Sequence, residues 1–61
     1  MKTEQIKMGA QVHIPTEQHH ARVWRIVEAE LMERGLLLTL ERDEGGQTYR
    51  NQEWATDCEP A

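Results

Sequence analysis

The sequence predicts an all-β domain of about five short antiparallel strands, and three stretches carry that expectation. The first is Gly35 to Arg50, where the apolar run Leu36-Leu37-Leu38-Thr39-Leu40 is followed by Asp43-Glu44-Gly45-Gly46 and then by Gln47-Thr48-Tyr49-Arg50. Two strand-like runs joined by a short Gly-containing connection read as a β-hairpin. The second is Val23-Trp24-Arg25-Ile26-Val27, a β-branched and aromatic cluster of strand composition. The third is Ala10, Val12 and Ile14 alternating with Gln11 and His13. The alternative is an α+β chain, with a helix over 16–34 followed by the same hairpin.

Sixty-one residues make one domain with no room for a second core. The expected organisation is a frayed N-terminal tail over 1–5, a single domain over 6–58 and a C-terminal tail over 59–61. A chain this short buries only about 60% of its unfolded surface, so its core yields a few kcal/mol net. Self-association is one remedy. The net charge of −4 argues against a dedicated nucleic-acid binder, whose Lys and Arg concentrate into one stripe. Met1 to Gln5 carries no apolar stretch of the kind that opens a signal peptide, and no apolar run approaches the ~18 residues of a membrane span. Cys58 is alone, which excludes an intramolecular disulfide. The expectation is a soluble cytoplasmic protein without a membrane anchor.

In chain order, Gly9 opens the first strand and Pro15 closes it. Residues 15–20 are polar. They read as a loop, or as a helix start capped by Thr16 with His19 where a capping-box Glu or Gln belongs. Ala21 to Arg34 fits two templates. As a helix it gathers Val23, Trp24, Val27 and Leu31 on one face, with helix-forming glutamates and Gly35 as a stop. As a strand it aligns Ala21, Val23, Val27, Ala29 and Leu31, interrupted by Arg25. With Asp43 to Gly46 as a four-residue loop, the hairpin pairs Arg42 with Gln47, Glu41 with Thr48 and Leu40 with Tyr49. Leu36, Leu38, Leu40 and Tyr49 then share one face. Trp54 is expected as the last core residue.

Gly9 with Val12, then Ala21-Arg22-Val23 with Ile26-Val27, then Gly35 to Leu40, the Asp43–Gly46 turn, Thr48-Tyr49-Arg50 and Trp54…Cys58-Glu59-Pro60 form a recurring order. It resembles an SH3-like small barrel of the Tudor, KOW and plasmid-type modules. That resemblance implies a long polar first loop, a bent antiparallel meander and a short last strand after a turn.

No catalytic signature stands out. His13, His19, His20 and Cys58 lack the paired short spacing of a structural zinc site, so no metal and no cofactor are expected. Asp57 and Glu59 flank Cys58 and oppose thiolate formation, against a nucleophilic role. Gly45-Gly46 lacks the Lys-Ser/Thr of a phosphate loop. The constellation worth following is Arg22, Arg25, Arg42 and Arg50 with Trp24, Tyr49 and Trp54. Its candidate binding residues are Trp24, Arg22, Arg25, Tyr49, Arg50 and Trp54. Aromatics beside arginines build a groove for a peptide or a stacking platform for single strands, and equally they fill a small core or a dimer seam. The expected function is a small non-enzymatic binding module acting on a protein partner or on itself through the Trp24/Arg25 face. The alternatives are a nucleic-acid-binding regulator and an enzyme subunit whose site forms only in an oligomer.

Overall fold

The computed structural model describes residues 5–16 and 22–61. They form the strands β1 (Gln11–His13), β2 (Trp24–Met32), β3 (Gly35–Glu44), β4 (Gln47–Trp54) and β5 (Glu59–Pro60), with a 3₁₀ turn at Ala55–Asp57. All pairings are antiparallel, in one sheet of order β4-β3-β2-β1-β5. The protein is therefore all-β. The sheet is not closed into a barrel: among the described residues, β4 and β5 are its two edges.

Trp24–Met32, which also fits a helix, is a strand paired with β1 on one side and β3 on the other. Its β-branched residues and these two ladders outweigh the helix preference of Glu28, Glu30 and Glu33. The strand is not regular. Ile26 pairs with Leu40 and Glu28 with Thr39, so Val27 is an extra residue, a β-bulge. The bulge changes which parity faces the core. Trp24 and Ile26 point inward before it, whereas Ala29 and Leu31 share the face of Leu38 and Leu36 after it. The single strand face expected for Val23, Val27, Ala29 and Leu31, interrupted by Arg25, does not exist, because the bulge divides it; Val23 is 46% exposed.

The β3–β4 hairpin turns on two residues rather than four. Glu44 pairs with Gln47 across Gly45 and Gly46, which sit at φ +59° and +79°. Two consecutive positive φ values make the primed turn whose twist matches a two-residue hairpin, and glycine adopts it without steric cost. The true partners are Arg42 with Tyr49, Glu41 with Arg50 and Leu40 with Asn51. A shift of two residues leaves every side chain on its expected face and changes only its neighbours.

Val12, Ile14, Trp24, Ile26, Leu38, Leu40, Ala55 and Cys58 form the core, with Ile6, Ala10, Ala29 and Leu36 packed against it. Ala55 and Cys58 close the core in place of Trp54, which pairs with Leu37 on the opposite, outer face of the sheet. Glu59 and Pro60, read from the sequence as tail, pair with His13 and Val12, and Ala61 N–H donates to the Gln11 carbonyl at 3.0 Å.

Candidate functional site

Around the bulge and the tight turn, β2, β3 and β4 line up residues in rows, one set on each face. On the outer face, Glu41 lies between Arg25 on β2 and Arg50 on β4. Its Oε1 accepts from Arg25 Nη2 at 3.3 Å, and its Oε2 accepts from Arg50 Nε at 2.9 Å and also from Arg50 Nη2. The neighbouring row places Asp43 opposite Thr48. Asp43 Oδ1 accepts from the Thr48 hydroxyl at 2.7 Å and Oδ2 from Arg25 Nη1 at 2.8 Å. The Thr48 hydrogen bond first, and Arg25 second, hold the Asp43 carboxyl below its ordinary 3.8. Asp43 in turn raises the pKa of Arg25.

On the core-side face the matching row is Trp24, Arg42 and Tyr49. The Arg42 guanidinium carbon lies 5.1 Å from the Trp24 ring centroid and 4.5 Å from that of Tyr49. Only 12% of the Arg42 side chain is exposed, its Nη1 is paired with Glu44, and its Nε is buried without a hydrogen-bond acceptor. The two ring faces supply the guanidinium with attraction that solvent would otherwise give.

Where β2 begins, an open cleft of about 230 Å³ lies between Val23, Trp24 and Arg25 on one side and Glu41, Arg42 and Asp43 on the other. Val23 and the edge of Trp24 are its apolar lining, and the other residues along it are polar or charged. Along it Arg25 is paired with both Glu41 and Asp43.

The candidate residues therefore divide. Arg25 and Arg50 meet at Glu41, and Trp24 and Tyr49 meet at Arg42. Arg22 is half-buried just before β2. Trp54 is elsewhere, at the far end of β4, with Arg34 stacked 5.0 Å from its ring centroid. Trp24 is 4% exposed and belongs to the core, so it presents no exposed ring; beside it Val23 and the 42%-exposed Tyr49 are exposed. Arg25, Arg42 and Arg50 do not form a free basic stripe, since each is matched by a carboxylate. The contributions of Glu41, Asp43 and Thr48 were hidden by the four-residue loop register.

His19 and His20 lie outside the described residues. Among the described residues no group of His, Cys, Asp and Glu is arranged to hold a metal ion. His13 Nε2 lies 3.2 Å from Glu59 Oε2 across β1 and β5. Cys58 is 1% exposed, and burial, with Glu53 and Asp57 adding repulsion, pushes its thiol up to about 11. That is the opposite of what a nucleophilic cysteine needs.

No family model matches the chain, and neither the curated proteins nor the solved structures give a match.

Proposed function

We propose that this chain is a small non-enzymatic binding module that acts through protein–protein contacts, with the cleft beside Val23 as the docking site. The observation that carries the reading is the cleft itself. The exposed Val23 lies beside the buried Trp24 among paired charges, the pattern of a small apolar anchor site with a polar border. The occupant would be a segment presenting one apolar side chain between polar ones. The buried thiol with its raised pKa supports a role without covalent catalysis. The β2–β4 meander bent at Val27, and the short β5 that follows a 3₁₀ turn, support the SH3-like relationship in an open form.

The test is capture of a partner on immobilised protein, followed by titration of that purified partner against wild type and Val23→Asp. The expected result is a loss of at least about tenfold in affinity, a differential of about 1.4 kcal/mol. Equal affinity for both proteins removes the cleft from the reading. Single-stranded DNA titrated at low and moderate salt tests the nucleic-acid alternative, because phosphate contacts make affinity fall steeply with salt. The neutralised arginines predict no such binding.

A further inference from the structure

The rows of side chains end abruptly at β4, whose outer edge is unpaired among the described residues. The tight turn fixes which main-chain groups point that way. Glu44 and Gln47 flank a two-residue loop, so their N–H and C=O groups bond to each other, and the pattern then alternates along the ladder. Tyr49 and Asn51 therefore face β3, whereas Thr48, Arg50, Gln52 and Trp54 direct their backbone groups to the open edge.

That edge is divided in two. At Gln52 the outward N–H is already taken by the Asn51 side chain, 2.9 Å from Oδ1. At Thr48 and Arg50 no described residue covers it, and the side chains lean back across β3. Thr48 reaches Asp43, Arg50 reaches Glu41 and Tyr49 lies over Arg42. Residues 47–50 are all exposed.

The geometry points to a second copy of this chain as the occupant of this half-edge, in an antiparallel pairing whose two-fold axis passes midway between Tyr49 and the partner's Tyr49. A two-fold joining identical edges stands perpendicular to the sheet, so facing residues must lie on the same face and the axis must pass midway between one residue and its own copy. Centring on Asn51 requires the capped Gln52 N–H. Centring on Arg50 opposes two arginines. Centring on Tyr49 uses only the uncovered groups, Thr48 exchanging hydrogen bonds with the partner's Arg50 and the reverse.

This register also continues both rows without interruption. On the outer face the row runs Arg25, Glu41, Arg50, then the partner's neutral Thr48 and the partner's Asp43, so the Arg50 cation faces a hydroxyl with a carboxylate behind it and meets no like charge across the seam. On the core-side face Trp24, Arg42 and Tyr49 meet the partner's Tyr49 at a non-hydrogen-bonded position, where facing side chains approach most closely. The inference rests on the protein–protein reading above and names its self-directed form, using the β4 edge and not the Val23 cleft.

Sedimentation equilibrium of the full chain over a range of concentrations, with the Tyr49→Cys variant air-oxidised in parallel, tests it. The expected result is a mass rising from one chain, 7.1 kDa, to two, and a Tyr49→Cys disulfide-linked dimer, since facing Cβ atoms at such a pair lie within disulfide reach. Asn51→Cys should not cross-link. Arg50→Pro removes an outward N–H that β3 does not use, so it should keep the wild-type circular dichroism and lose the dimer. A wild-type chain that stays monomeric, an Arg50→Pro protein that dimerises as well as wild type, or cross-linking through Asn51→Cys in place of Tyr49→Cys overturns the proposal. A monomer that still binds a partner through Val23 overturns self-pairing alone. A dimer that binds no partner refutes the cleft and leaves the edge pairing supported.

Discussion

Cys58 should make this protein less stable at alkaline pH. The thiol is 1% exposed within the core, and Glu53 and Asp57 add negative charge nearby, so the folded chain resists forming the thiolate. Its pKa moves from the ordinary 9.0 to about 11 on folding. The folded state thus holds the proton more tightly than the unfolded state. The associated stability is fully present below pH 9.0 and is lost as pH rises through about 11. Within that window the loss runs at about 1.4 kcal/mol per pH unit, or roughly 3 kcal/mol in all. A domain of this size has only a few kcal/mol to lose, so the effect approaches its whole stability. Urea unfolding followed by circular dichroism, at a series of pH values from neutral to strongly alkaline, measures it. Cys58→Ala should be less stable at neutral pH, because a core atom is removed, yet it should lack the Cys58 component of the alkaline fall. Parallel stability–pH curves for wild type and Cys58→Ala would refute the reasoning and place the alkaline sensitivity in other groups.

Two further perturbations address the hairpin. Gly46→Val meets open space, so its cost is purely that of placing a side chain at φ +79°, about 1–2 kcal/mol in urea unfolding; Gly46→Asn should cost less, because asparagine tolerates that region better. Thr48→Val removes the leading cause of the depressed Asp43 pKa, so carbon-detected NMR titration should show that carboxyl moving up toward 3.8. The stability linked to Asp43 is present above 3.8 in the wild type and lost as pH falls through its lower folded value, and the variant should lose it at higher pH.

The local features legible in the chain are those set by nearest neighbours. The apolar alternation of Leu36, Leu38 and Leu40, the Gly45–Gly46 reversal and the strand composition around Trp24 determine an antiparallel hairpin preceded by a further strand. The direction of the Cys58 shift was legible in its acidic neighbours, but its leading cause, burial, was not, and Glu53 acts with Asp57 where the chain order suggested Glu59. The hairpin register did not follow, because Asp43 and Glu44 look like loop residues until pairing with Thr48 and Gln47 holds them in the ladder.

Which side of Trp24 faces inward was decided by tertiary structure. On sequence alone Val23, Val27, Ala29 and Leu31 share one parity, which leaves Arg25 as an interruption and Trp24 on the outside. The bulge at Val27 resolves this by spending one residue, so that Trp24 and Ile26 join the core while Arg25, Glu28 and Glu30 all face outward. That phase jump between Arg25 and Glu28 was present in the charges as a signal. It acquires meaning only once β3 supplies a fixed ladder, because a strand has no preferred inside until a partner and a core define one.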